Sequence, residues 1–411
     1  MKVKASLLEY FKRLEGNSKI CTALFPLWAI PYTIYMYYLS LYFKAMGFSS
    51  VQIGNLMIAA NVSAMFFSIF AGTIVNFLGR KKSTFIFDFL SSSVPPLLFL
   101  LFPQNNIAIL GMALTGLNRI MSVGYYLLLV EDRGVDNSVV SMNLFNAILL
   151  VSGIFIPLAG LIVHQNGILF SQRIFLLIAV ISMTILNFVR NFFVKETETG
   201  EKIKNEKERS GLFKDYKQAL VIILKNSQTR SAILINSLIY TYFATATTSS
   251  LFFAPYFTEY LGLSELKFSY IGGIYTVGII VALVFVNPRL SQSNLMDYSI
   301  RFSLVSIVGF IMILKIFDSL VLILLGVFAV ALSYGVLKTI GDSVMAICPG
   351  GKVKTTIYSM SFLISSIITI VTIKLVTILY QYSPCFLFII SSFIIFIVMI
   401  ISLQERRSSN A

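Results

Sequence analysis

The amino-acid sequence predicts an all-α integral membrane protein whose twelve transmembrane helices form two pseudo-symmetric six-helix bundles. Three observations carry this reading. Of 411 residues, 57% are hydrophobic and 12% charged, and the mean hydropathy is +0.85. A soluble protein carries about 25% charged residues, so most of this surface faces a solvent other than water, and a bilayer is the common one. The apolar residues also fall into runs of about 20, the length of helix that crosses ~30 Å of hydrocarbon. Finally, one long polar stretch divides those runs six and six.

In chain order, spans are expected near 20–43, 51–78, 84–102, 107–130, 139–163 and 169–190, then near 231–254, 269–286, 299–317, 320–347, 356–380 and 385–402. A closed barrel would need alternating strands of about ten residues, and these runs are too long and too uniformly apolar. Between the groups, residues 191–230 hold KETETGEKIKNEKERSGLFKDYK, too charged of both signs to enter lipid. The expected division is therefore a first bundle over 1–190 with a short basic leader, a partly helical cytoplasmic linker over 191–230, and a second bundle over 231–411.

The charged N-terminus lacks a short apolar core with a small-residue cleavage site, so no removable signal peptide is read there. Leu7, Leu8, Phe11 and Leu14 sit at helical spacing and fit either a short interfacial helix or a basic tail. With both termini in the cytoplasm, most of the 32 Lys and Arg fall on that side. They include Lys2, Lys4, Arg80, Lys81, Lys82, Arg133, the linker, Arg289, Arg301, Arg406 and Arg407; Lys44, Arg173, Lys267, Lys315 and Lys374 fall near the other face. The net charge of +14 is then a topology signal with an attraction to anionic membrane lipid, not a nucleic-acid footprint. The expected location is the cell membrane. Cys21, Cys348, Cys385 and the single His164 have no metal-ligand or disulfide spacing, and no phosphate-cradling loop or catalytic constellation is present. No cofactor, metal or enzymatic activity is expected.

Between spans two and three stands Gly72-Thr-Ile-Val-Asn76-Phe77-Leu78-Gly79-Arg80-Lys81-Lys82. It resembles motif A of the major facilitator superfamily, G-x-x-x-D-(R/K)-x-G-(R/K)-(R/K), with Asn76 at the acidic position and Phe77 at the first basic one. The preceding Leu41 to Gly54 looks like the family's first outer loop, whereas the matching loop of the second half, Asn287-Pro288-Arg289 to Asp297, is degenerate. The resemblance implies secondary transport of a small-molecule solute by alternating access, with the Gly72, Asn76, Gly79, Arg80 and Lys81 loop as a cytoplasmic gate partnered by Glu131 and Asp132. Without the family, the two glycines permit close backbone approach, and Arg80 to Lys82 can simply fix topology. In span five, Gly153, Pro157 and Gly160 partly match motif C of the family's drug antiporters, with Ile156 where a glycine belongs. That points to efflux; it also reads as ordinary tight helix packing with a proline kink.

The resemblance implies a cavity lined by spans one, four, seven and ten. Arg119 lies near the middle of span four, where it needs a cavity or a partner, and Thr115, Asn118, Ser122 and Tyr126 share its side of the helix. The alternative is a structural arginine bonded to backbone carbonyls. Span one offers Trp28, Tyr32 and Tyr35 on one face, with Pro26 and Pro31 bending it; span seven offers Asn236, Tyr240 and Thr247; span ten offers Tyr334 and Lys338. Such groups suit a mixed polar and apolar solute, although tyrosines also gather at membrane interfaces. Lys338 can pair with Asp342 or snorkel. No acid falls at mid-span; Asp88, then Glu131, are the candidates for coupling to protons. The overall expectation is a monomeric exporter of a small organic solute. The alternatives are an importer of a small polar or anionic metabolite, and a non-transporting receptor or assembly partner on the same fold.

Overall fold

The computed structural model describes residues 14–130, 148–149, 151–205, 212–314, 319–347 and 354–410, and these are helical almost throughout. The chain begins with α1 (Gly16–Leu24), α2 (Pro26–Ala45) and α3 (Ser50–Leu78). Next come α4 (Arg80–Asp88), a π-turn at Phe89–Ser93 and α5 (Val94–Leu101), then α6 (Asn105–Thr115) and α7 (Asn118–Val130). After a 3-10 turn at Ser152–Phe155 follow α8 (Ile156–Asn166) and α9 (Ile168–Phe193), and the linker forms α10 (Glu198–Asn205) and α11 (Leu212–Lys225). The longer helices that follow are α12 (Ser227–Ala246), α13 (Glu265–Val281), α14 (Leu295–Ile313), α15 (Leu320–Ile347), α16 (Lys354–Tyr380) and α17 (Phe386–Asn410), with a short helix at Phe253–Pro255, π-turns at Tyr256–Tyr260 and Ala282–Val286 and a 3-10 turn at Asn287–Arg289 between them.

Among the described residues, ten helices are long and apolar enough to cross a membrane. They match ten of the expected spans. Of the expected span at 139–163, residues 139–147 and 150 lie outside the described residues, and the rest holds the 3-10 turn at Ser152–Phe155 and most of α8. The one at 231–254 is α12, which ends early: Thr247 is extended, with φ −113° and ψ 178°. Its start is fixed by Asn226, whose side chain accepts from the Thr229 N–H at 3.0 Å. α12 misses the apolar threshold because it is built to face protein on several sides. It packs against α15, α16 and α17, and its hydroxyls are matched there. Ser365 donates to Ser237 at 2.9 Å, and Thr241 pairs with Thr369 at 2.9 Å. In a membrane such hydroxyl pairs hold helices together at about 0.6–2 kcal/mol each.

The expected breaks in the first span occur at one proline. Pro26 takes the first position of α2, where its missing N–H costs nothing, and Phe25 forms the corner between α1 and α2. Pro31 lies inside α2. The third span starts at Arg80 instead of residue 84, because the lysines and arginine after Gly79 can form the first helical turn outside the apolar core.

The packing separates two compact units. The first holds Met1–Met36, Ala59–Phe155 and Leu169–Arg209; the second holds Tyr37–Ile58, Ile156–Ile168 and Ser210–Ala411. In the first, α4 packs along α7 and α5 along α6. In the second, α14 packs on α15 and α17, and α8 packs on α13. The α8–α13 contact runs through small residues. A Cβ on Gly160 would strike the Ser269 side chain, and one on Gly272 would lie 2.7 Å from Ile156 Cγ2 and 2.9 Å from the Tyr37 ring. Beside it the Tyr37 hydroxyl donates to the Phe268 carbonyl at 2.6 Å, and the two rings stack at 4.4 Å. Lys44 pairs with Glu259 at 3.1 Å at the end of α2.

Candidate functional site

The first unit contains a cavity of about 290 Å³. One wall is the α1–α2 corner, which presents Phe25 and Trp28. Their rings stack at 5.5 Å, Trp28 stacks on Tyr32 at 4.3 Å, and Tyr35 meets Tyr32 edge-on at 5.6 Å. The predicted aromatic face of span one is therefore a continuous row of rings, with Trp28 lining the cavity, Tyr32 stacked on it and Tyr35 edge-on to Tyr32. The opposite wall is α7. Asn118, Ser122, Tyr125 and Leu129 recur at three- and four-residue intervals and so share one helical face, flanked by Met121 and Tyr126. The Ser122 hydroxyl donates to Asn118 Oδ1 at 2.7 Å.

The polar floor consists of Asp88, the last residue of α4, and Arg190, in the last turn of α9. Arg190 Nη2 lies 2.7 Å from Asp88 Oδ2, and the two side chains are 5% and 2% exposed. Each is held from its other side. Ser92, one turn on in the π-turn, donates to Asp88 Oδ1 at 2.7 Å. Arg190 also donates to Asn187 Oδ1 at 2.8 Å and lies 5.5 Å from the Tyr125 ring centroid, while the Tyr125 hydroxyl donates to the Cys21 carbonyl at 3.1 Å. The π-turn at Phe89–Ser93 widens the helix at this point; such turns gather at functional sites. A buried pair with all its partners is tolerated, whereas a lone buried charge costs several kcal/mol.

A second polar cluster surrounds the loop between α3 and α4. Gly79 has φ +86°, a left-handed conformation that glycine adopts without strain, and a Cβ there would lie 2.5 Å from Glu196 Oε2. The Glu196 carboxylate accepts from the Arg80 N–H at 2.9 Å and from the Lys81 N–H at 3.0 Å. It thus caps the positive end of the α4 helix dipole. The Arg80 guanidinium, in a residue only 2% exposed, donates to Asn76 Oδ1 at 3.0 Å. The neighbouring Lys195 is tied to Asn17 by reciprocal hydrogen bonds of 2.9 and 3.0 Å. Among the described residues close approach explains Gly79 but not Gly72, which sits on an exposed face of α3 where a Cβ would meet none of them within 4 Å. Glu131 and Asp132, the expected partners of Arg80, lie outside the described residues.

The cavity brings together Trp28, Ser122 and Tyr126 from the predicted lining and Asp88 from the coupling candidates. Arg119 is half-buried on α7 and is not among the residues lining this cavity. In the second unit, Tyr334 stacks on Phe243 at 5.1 Å and meets Tyr242 edge-on at 5.9 Å. Thr247 donates to the Phe243 carbonyl at 2.7 Å, Asn236 accepts from Ser361 at 3.4 Å, and Tyr240 is half-buried. Lys338 pairs with Asp342 at 3.2 Å, both side chains more than half exposed. Gly153 lies in the 3-10 turn before α8, and Pro157 sits against Gly273, whose Cβ would lie 2.8 Å from Pro157 Cγ. Sequence reasoning missed Arg190 and Glu196. The usable signals were an arginine in the last turn of the sixth span and the first acid after that span.

The chain matches the model of the Major Facilitator Superfamily over residues 20–350. It belongs to that superfamily, and its fold is the family's twelve-helix membrane fold. Solved transporter structures share it. A point mutant of the nucleoside transporter NupG has a TM-score of 0.73 at 14% identity, covering 95% of this chain and 99% of that one. A bacterial homologue of the human lysosomal transporter Spinster has 0.66 at 12%, covering 97% of each. A D-xylose–proton symporter has 0.64 at 13%, covering 94% and 95%. No curated protein matches the chain closely enough to count as a relative. The protein is thus a multi-pass membrane protein of a secondary-transporter family.

Proposed function

We propose that this protein is a secondary active exporter that moves a small organic solute by alternating access, as a carrier and not as an enzyme. The observation that carries this reading is the cavity of about 290 Å³ between α1–α2, α4, α7 and α9, with aromatic walls and a polar floor. Binding sites for small molecules have this form: mostly apolar walls with a few placed polar groups. Export is supported by the α8 seam, where the motif-C-like Gly160 and Pro157 pack against Ser269 and Gly273 of α13.

Asp88 is the carboxylate among the described lining residues and the group we assign to proton coupling. We assign the chain to the cell membrane, and the distribution of Lys and Arg supports both termini in the cytoplasm. In this orientation the Asn76, Gly79, Arg80, Lys81 and Glu196 cluster is the cytoplasmic gate. Cells carrying the protein should retain less of an exported aromatic compound than cells lacking it, and Asp88→Asn should abolish the difference. Greater retention in the carrying cells would reverse the direction assigned here.

A further inference from the structure

We infer that the cavity selects a compact aromatic solute without net charge. The inference rests on the reading of the cavity as the solute site and adds the chemical class. Among the cavity's lining residues, Asp88 and Arg190 are the charged ones. They neutralise each other at 2.7 Å, and their side chains are 2% and 5% exposed. Ser92 occupies the second carboxylate oxygen, and Asn187 and the Tyr125 ring take further sides of the guanidinium. Among the described lining residues no net charge is left to meet a charged solute. A cation or an anion entering would lose its hydration without gaining a counter-ion, and that loss is large in an apolar site.

What the walls offer instead is ring surface from Phe25, Trp28 and Tyr126, with hydrogen-bonding groups on Asn118 and Ser122. Aromatic faces favour a planar ring, and the amide and hydroxyl favour a polar edge on it. At about 290 Å³ the cavity is at the small end of the roughly 300–1,000 Å³ range of ligand pockets, which suits a one-ring solute.

Trp28 makes the test direct, because it is the one tryptophan of the chain and lines the cavity. Benzamide, benzoate and benzamidinium are planar isosteres that differ in charge. Each is titrated into the purified full chain while Trp28 emission is followed. Benzamide should change the emission saturably at a concentration at least tenfold lower than either ion requires. Asp88→Asn should move the preference to benzoate, Arg190→Gln should move it to benzamidinium, and the double variant should return it to benzamide. If a single variant fails to fold, the wild-type and double-variant rankings decide. Tighter binding of a charged isostere by the wild type overturns the inference and leaves the cavity as the site. No saturable change with any of the three overturns the cavity reading, and the inference with it.

Discussion

Asp88 gives one carboxylate oxygen to Arg190 and the other to Ser92. Removing one partner strands the other where its side chain is almost wholly buried, at a cost of about 3–5 kcal/mol. Arg190→Ala should therefore lower the thermal midpoint of the detergent-purified protein sharply, whereas the double variant Asp88→Asn with Arg190→Gln should recover most of the loss. Gly79 makes a similar case for the loop. Its φ of +86° and the 2.5 Å approach to Glu196 leave no room for a side chain, so Gly79→Ala should cost about 1–3 kcal/mol. Glu196→Gln should cost less, since one oxygen can still accept an N–H from the start of α4. Thermal denaturation of the two variants side by side gives that order; equal losses would mean that the carboxylate charge, not the turn, governs the loop. At this scale the sequence was half legible. Asp88 stood out as an acid in an apolar run. Arg190 did not, because it sits at the margin between a span and a basic linker, where an arginine ordinarily reads as topology.

The seam between α8 and α13 is set by side-chain size. Gly160 faces Ser269, and Gly272 faces Ile156 and Tyr37. Gly160→Ala should impair transport and lower stability, and Ser269→Gly should restore both by returning the lost space. Flux and thermal midpoint of the single and double variants check this; absence of rescue would show that the glycine acts through something other than this contact. Helices were the most legible part of the sequence, because a bilayer demands long apolar runs and loops that carry charge. Less legible was how the helices are interrupted. The π-turns at Phe89–Ser93, Tyr256–Tyr260 and Ala282–Val286 have no sequence signature of the strength of a proline or glycine. The early end of α12 was missed for a related reason: its Ser and Thr residues suit a span enclosed by protein, and hydropathy does not separate that from a loop.

For the whole molecule, the six-plus-six layout and the Gly72 to Lys82 loop were enough to read the family, because both are constraints on the chain as a whole. The site was less accessible. Its floor joins α4 to α9, residues far apart in sequence, and only packing brings them together. The account requires that this cavity meet each side of the membrane in turn. Ser122, exposed in the cavity wall, is the position to follow. With Cys21, Cys348 and Cys385 replaced and Ser122→Cys introduced, a membrane-impermeant maleimide is applied to vesicles from either face. Alternating access gives labelling from both faces, with the balance between them shifting when benzamide is added. Labelling from one face alone under every condition would contradict it.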